Sequence, residues 1–242
     1  MASKYWVGGG TNTNWFGGAT TNWANTSGGA GNQSEPTTGD DVFFDASSGS
    51  GTSVCNTAIS LRSLDCNGYT GTLTHNTLTI TITGTNATAP SGFPLRLVSG
   101  MTYTKTSNGS SAFALAATTG TVGITTGTKE LGGTTIGSAG TGATFILNDA
   151  LTMNAGATLT HNAGIFDAND FNVSCGFFNS SNSNVREVIM GSGTWTITGV
   201  NATPWTMQTA TNLTVTPETS TILLSAVPIG FRTIQLGGKT FY

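Results

Sequence analysis

Two acidic residues in the run Phe166-Asp167-Ala168-Asn169-Asp170-Phe171 are the pair in this 242-residue chain best suited to general acid and base work. A glycosidase needs its two carboxyl groups about 5 Å apart to retain configuration, or roughly 6.5–9.5 Å apart to invert it. The Asp167-x-x-Asp170 spacing serves a turn equally well, each carboxylate accepting a backbone N–H, and few aromatic or cationic residues stand near enough in sequence to hold a sugar. The turn reading is preferred. Asp40, Asp41 and Asp45 offer oxygens to calcium, which takes six to eight such ligands, but without the glycine-interrupted alternation of a dedicated loop they read as turn carboxylates. His75 and His161 occupy the same place in a repeated Thr-Leu-Thr-His-Asn. The repeat invites a ligand-pair reading, and stacked turn histidines bonded to backbone are preferred to it.

Cys55, Cys66 and Cys175 cannot all pair with one another, and no C-x-x-C or His-x-x-x-His spacing builds a metal cage, so they are expected to be reduced, packed thiols. The sequence holds no Ser/His/Asp or Cys/His set, no HExxH and no phosphate-cradling glycine loop followed by lysine. The expectation is a non-enzyme with no catalytic residue, no metal and no cofactor. Asn86-Ala87-Thr88 and Asn201-Ala202-Thr203 match the glycosylation triplet, as chance allows in a chain so rich in Asn and Thr.

The elements that must position these residues are set by an unusual composition. Charged residues are 8% of the chain, against roughly 25% in ordinary soluble domains. Threonine is roughly a fifth of the residues, and its β-branched side chain fits a pleated surface while its hydroxyl meets water. The 34 glycines supply turns. A net charge of -3 with scattered Lys and Arg excludes a phosphate-neutralising stripe, so nucleic acid is not an expected partner. No run of ~18 apolar residues spans a membrane, and Met1-Ala2-Ser3-Lys4 leads into polar sequence without a signal-peptide core, which implies synthesis in a cytoplasm.

Strand signals recur from Ser53 onward. Thr77-Leu78-Thr79-Ile80-Thr81-Ile82-Thr83 alternates strictly, and Thr144–Leu147, Ala157–Thr160, Thr194–Thr198, Asn212–Thr216 and Ser220–Leu224 resemble it. No window shows a helical period. Two echoes appear: Thr72-Leu73-Thr74-His75-Asn76 recurs at 158–162, and Thr81-Ile82-Thr83-Gly84 recurs at 196–199, with different offsets. Loosely similar rungs with variable loops fit this, so the predicted fold is all-β, a parallel β-solenoid (β-helix) with irregular turns; a β-sandwich is the alternative. The irregular period argues against a threonine ladder that binds ice.

Residues 1–50 stand apart as a Trp/Gly-rich cap or attachment segment, with residues 51–242 as the repetitive domain. Trp6, Trp15 and Trp23 lie among few other large apolar residues, so a neighbouring subunit is expected to complete their burial. Asp41-Val42-Phe43-Phe44-Asp45 reads as a first strand, followed by a flexible Ser47-Ser48-Gly49-Ser50-Gly51.

Tyr5-Trp6-Val7-Gly8-Gly9-Gly10, Asn14-Trp15, Asn22-Trp23, Ser27–Gly31, Pro36 and Asp40–Asp45 together resemble the amino-terminal signature of Thr/Gly-rich structural proteins of tailed bacteriophages. Leu151-Thr152-Met153, Asn172–Gly176, Phe178–Asn184 and Gly237–Phe241 are similar to their repeated strand segments, so the resemblance covers nearly the whole chain. It implies a virion component of fibre, tail or head-decoration type with a role in host-surface attachment, and it brings no catalytic residues. The partners it implies are other copies of the chain, expected as a homotrimer, other virion proteins and a host surface glycan. A polysaccharide-degrading tail spike using Asp167 and Asp170, and a bacterial surface adhesin, are the alternatives.

Overall fold

The computed structural model describes residues 1–107, 109–226 and 230–241. The described chain is all-β apart from one short 3-10 turn, Ala46–Ser48. It winds as a parallel β-solenoid of about eight turns, each contributing one strand to each of three faces. The first complete turn runs Asp41–Phe43, Thr52–Cys55, Ile59–Leu61, and the last runs Leu213–Thr216, Thr221–Leu224, Ile234–Gln235. Strands on one face pair in parallel, turn upon turn.

The alternation read from the sequence is what closes each turn around a core. In Thr144–Leu147, Thr158–His161 and Thr194–Ile197 every second residue is buried, and the threonines between them face outward. Inward residues stack along the axis, as Phe145 on Phe166, Phe166 on Val188 and Val188 on Val215. Each fully buried Leu, Ile or Phe contributes about 1.5–3 kcal/mol. Spacing between register partners varies from 19 residues (Leu159 to Phe178) to 33 (Ile80 to Phe113), because corner loops differ in length.

The two sequence echoes join strands on different faces. Thr81-Ile82 belongs to the third face and Thr196-Ile197 to the second, yet both run into a corner of the same local geometry. Thr83 donates its N–H and its hydroxyl to Leu61 O, 2.9 and 3.0 Å, and Gly84 N–H donates to Arg62 O at 2.9 Å. Thr198 does the same to Cys175 O, 2.9 and 3.1 Å, and Gly199 to Gly176 O at 2.9 Å. A Cβ on Gly84 would lie 2.4 Å from Arg62 O, and one on Gly199 2.3 Å from Gly176 O. The repeated Thr-Ile-Thr-Gly therefore encodes a corner that lets one turn settle on the next, not a rung period.

The second face is interrupted. Thr52–Cys55, Thr72–His75 and Thr102–Lys105 form one sheet, and Glu130–Leu131 starts another. Across the gap Lys105 Nζ meets the Glu130 carboxylate, and Lys129 Nζ donates to Ser99 O at 2.9 Å.

Residues 1–40 form a cap that is continuous with the solenoid. Ser3–Trp6 pairs in parallel with Asp41–Phe43 on the first face and antiparallel with Trp23–Ala24. Trp15 N–H donates to Val54 O and Val54 N–H to Thr13 O, covering the second face, while Gly39 N–H donates to Ser60 O on the third. No break falls near residue 50: Asp41–Phe43 already belongs to the first turn, and the run expected to be flexible begins with a 3-10 turn whose start Asp45 caps through Ser47 N–H.

The burial expected from a neighbouring subunit is corrected. Trp6, Trp15 and Trp23 are 2%, 1% and 0% exposed within the single chain. Phe44 at the end of the first strand lies 5.6–6.0 Å from all three rings. Ser53 Oγ accepts from Trp15 Nε1 at 2.6 Å and Trp15 O from Trp23 Nε1 at 2.8 Å, so these two indole donors are satisfied as well. These tryptophans seal the solenoid's own core within the single chain.

Gly199→Ala is expected to lower the unfolding free energy by about 1–3 kcal/mol through overpacking. Gly142→Ala, where an added Cβ meets nothing within 4 Å, is expected to stay within about 0.5 kcal/mol of the parent. Urea unfolding of both variants checks the pair; equal effects would show that corner contact is not what demands glycine.

Candidate functional site

Asp167 ends the strand Gly164–Asp167 on the first face, and Asp170 follows in the corner beyond it. Asp167 accepts from Asn169 N–H at 2.8 Å, and Asp170 accepts from Ser192 N–H, 2.8 Å away in the next turn. Asn169 Nδ2 reaches back to Leu147 O at 3.0 Å. Asn169 and Asp170 adopt left-handed φ of 48° and 64°, a conformation Asn and Asp tolerate better than other side chains. The two carboxylates bound a surface hollow of about 260 Å³ with Ile189, Gly191 and Glu218. Glu218 was not singled out from the sequence, since it comes from a corner two turns away. The hollow has no aromatic side chain on which a sugar ring could stack and no cation, so the groups there are turn-stitching acceptors before they are anything else.

A second hollow of about 280 Å³ lies at the opposite ends of the same strands, among Thr141, Ile165, Val185, Glu187 and Asn212. Its floor includes Arg186, which is 2% exposed and has no carboxylate partner among the described residues. All five guanidinium N–H groups are used: Nε donates to Ser180 Oγ at 2.9 Å, Nη1 to Asn184 O and Thr211 O, and Nη2 to Ser180 O and Thr209 O, at 2.6–3.0 Å. Burial lowers its pKa. The side chain ties together loops of two turns, whose carbonyls would otherwise be orphaned.

Arg186 also orders a buried chain of bonds. Ser180 Oγ accepts from Arg186 and lies 3.4 Å from His161 Nδ1, while His161 Nε2 lies 3.1 Å from Gly164 O. A carbonyl only accepts, so His161 carries its proton on Nε2 and Nδ1 accepts from Ser180. His75 sits on the second face, 2.8 Å through Nδ1 from the Tyr103 hydroxyl. The two histidines were expected to be stacked turn residues. They are instead inward strand residues on different faces, both fully buried. Burial pushes the pKa of each down to about 4; for His161 the charge of Arg186 adds to this, against the opposing bonds to Gly164 and Ala163.

The remaining candidates are spoken for. Asp41 forms a bidentate pair with Arg62 and accepts from Ser63 Oγ at 2.6 Å. Asp40 accepts from Ala2 N–H at 2.6 Å and from Thr37 N–H and Oγ1 at 3.0 and 2.9 Å. Burial alone would raise the Asp40 pKa; these bonds outweigh it and hold it below the usual value. The aspartates expected at most to cap turns are thus split between a cap, an ion pair and a 3-10 start, and no cluster of three metal-ligating side chains forms among the described residues. Cys55, Cys66 and Cys175 are free and fully buried, and burial pushes Cys55 and Cys175 up to about 12 and Cys66 well above its ordinary value.

An uncharged exterior feature runs along the third face. Ser60, Thr81, Ala114, Thr135, Thr160, Asn179, Thr206 and Gln235 stand in register across all eight turns as one outward column without a charge. Comparison with protein families, curated proteins and solved structures finds no match to this chain.

Two outcomes are expected. Above about pH 6.5 both buried histidines are neutral whether the chain is folded or not, so their contribution to stability is complete. As pH falls from 6.5 toward 4 the unfolded chain binds protons that the native one refuses, and stability drops by up to about 3 kcal/mol per histidine; below about 4 they cause no further loss. Urea unfolding across this range, with a His75→Gln/His161→Gln variant flattening the slope, tests it. Separately, Arg186→Met is expected to cost about 3 kcal/mol or more at pH 7, from the stranded carbonyls. A thermal midpoint unmoved from the parent would show that those carbonyls find water instead.

Proposed function

We propose that the chain is a structural component of a bacteriophage particle, a fibre, tail or capsid-decoration element whose rod contributes to host-surface attachment, and that it is not an enzyme. The observation that carries the reading is the rod itself: eight stacked turns with a continuous apolar interior and an uncharged outward column, hydroxyl or amide in every turn but that of Ala114. Such a surface suits shallow, repeated hydrogen bonding to the hydroxyls of a surface glycan, and a rod of hydrogen-bonded turns suits a part that bears load. The amino-terminal resemblance to Thr/Gly-rich phage proteins supplies the setting; the fold is compatible with it and with other settings.

The competing reading is a polysaccharide-degrading spike with Asp167 and Asp170 as acid and base. Against it stand the backbone bonds both carboxylates already accept and a hollow without an aromatic wall. Two measurements separate the readings. Proteomics of purified particles of the encoding phage is expected to find this polypeptide, and its absence there would sink the virion assignment. Incubation with host envelope polysaccharide is expected to release no sugar; release that disappears in Asp167→Asn/Asp170→Asn would overturn the non-enzyme reading.

A further inference from the structure

Along most of the rod the outward side chains are hydroxyls and amides, but three consecutive strands of the first face break the pattern. Thr144–Leu147, Gly164–Asp167 and Arg186–Ile189 point Ile146, Ile165 and Ile189 outward, each partly exposed, together with Asp167 and Glu187. The register sets Ile146, Asp167 and Ile189 in one column and Thr144, Ile165, Glu187 and Thr214 in the next. With strands about 4.8 Å apart and alternate residues of a strand about 7 Å apart, the three isoleucines form a zigzag whose neighbours stand about 8 Å from each other. Val185, 74% exposed, adjoins them just before the strand Arg186–Ile189.

The patch is bounded along the axis. One turn earlier its column is closed at Gly123, over which the side chains of Asn86 and Asn148 lie, Asn86 Oδ1 accepting from Gly123 N–H at 2.7 Å. One turn later Thr214 and Thr216 restore the hydroxyls. The two hollows described above flank the patch at either end of these strands, and their linings add Asp170 and Glu218 to Asp167 and Glu187. The cation among those lining residues is Arg186, buried with every N–H engaged. Four of the chain's 11 acidic residues thus surround an aliphatic surface whose lining residues present no exposed positive charge.

We propose that this patch of the first face docks a different protein, one whose surface carries lysine or arginine among aliphatic side chains. The occupant follows from what the patch attracts and what it repels. The phosphates of nucleic acid or of an anionic lipid would meet four carboxylates. A sugar ring would find isoleucine where it needs an aromatic face. A second copy of this chain, with its net charge of -3, would set its own Asp167 and Glu187 against the same residues, and like charges juxtaposed in a contact are costly. A lone metal ion would engage the carboxylates and leave the isoleucines wet. A basic, aliphatic protein surface answers both parts. Its apolar groups cover the zigzag, with Ile165 as the central anchor, and its cations reach the carboxylates, which makes the contact salt-sensitive.

The probe is a disulfide-closed β-hairpin peptide with valine and lysine on one face, titrated into the full chain by calorimetry. Two companion hairpins carry glutamate in place of lysine or serine in place of valine. The valine–lysine hairpin alone is expected to bind, and carbodiimide coupling of its complex should join its lysines to Asp167 or Glu187 and not to Glu35 or Asp45 in and beside the cap. Ile165→Thr and Glu187→Gln, outward substitutions that keep the strand pattern, should each weaken binding about tenfold, whereas Thr152→Ala on the second face should leave it unchanged. No binding, equal binding of either companion hairpin, coupling spread over all carboxylates, or affinity indifferent to Ile165→Thr would each overturn the proposal. So would a dimer in sedimentation that Ile165→Thr dissolves, since the patch would then belong to a second copy. None of these results depends on whether the protein belongs to a virion, so the two proposals fail independently.

Discussion

Every turn of this protein depends on its neighbours for its backbone hydrogen bonds. In a parallel solenoid no strand pairs within its own turn, so each N–H and C=O along the three faces looks for a partner in the turn above or below. The requirement fixes a common cross-section for all turns, and the corners bear its cost in close contacts. Gly84, Gly176, Gly193 and Gly199 each sit where a Cβ would come within 2.4 Å of a carbonyl oxygen of an adjacent turn. Asn side chains do the complementary work where the loops are longer: Asn182 and Asn184 donate to His161 O and Asn162 O in the preceding turn, and Asn212 donates to Ser183 O. A chain with 8% charged residues can be stable on these terms, because neutral hydroxyls and amides both wet the surface and join its turns.

The strands were legible in the sequence because their alternation is local. Thr144–Leu147 and Thr221–Leu224 fall within a residue of where Phe145, Leu147, Ile222 and Leu224 place them. The number of turns was not legible, since loops of unequal length erase any fixed period, and the two echoes that looked like rungs mark corners and inward strand positions on different faces. The cap was misjudged for a physical reason. Its tryptophans have few apolar neighbours in sequence, but Phe44 reaches all three of them from the first turn, with Tyr69 of the next turn packed behind it, a proximity that only the winding creates. Asp45, Asp167 and Asp170 accept turn N–H groups as read, whereas Asp41 is a buried strand residue paired with Arg62. The cluster of His161, Ser180 and Arg186 left no sequence signal, because its members come from separate turns, and the carboxylate next to Arg186 in sequence, Glu187, alternates to the outer side of the strand.

That cluster shows how a largely apolar rod tolerates an ion in its wall. Among the described residues no carboxylate pairs with Arg186; four carbonyl dipoles and a hydroxyl share its charge. The ion pairs, by contrast, gather near the amino-terminal half, Asp41 with Arg62 and Asp65 with Arg96, where Arg96 also lies 3.9 Å over the ring of Phe93. Pairs that join one turn to the next add to the ladder of backbone bonds where the cap begins, and the later turns rely on aromatic stacking of Phe166, Phe178, Trp195 and Trp205.

The interruption of the second face gives the rod a preferred direction of bending. Between the third and fourth turns two walls keep their backbone ladders, while the wall between Thr102–Lys105 and Glu130–Leu131 is spanned by side chains, Lys105 to Glu130 and Lys129 to Ser99. Side-chain contacts on flexible stems stretch more easily than a row of peptide hydrogen bonds, so the two intact walls act as a hinge plate and the third as its opening edge. A lateral force would flex the rod about this level by parting the second face and would meet greater stiffness in any other direction. The two segments on either side, three turns with the cap and five beyond, would swing as nearly rigid arms.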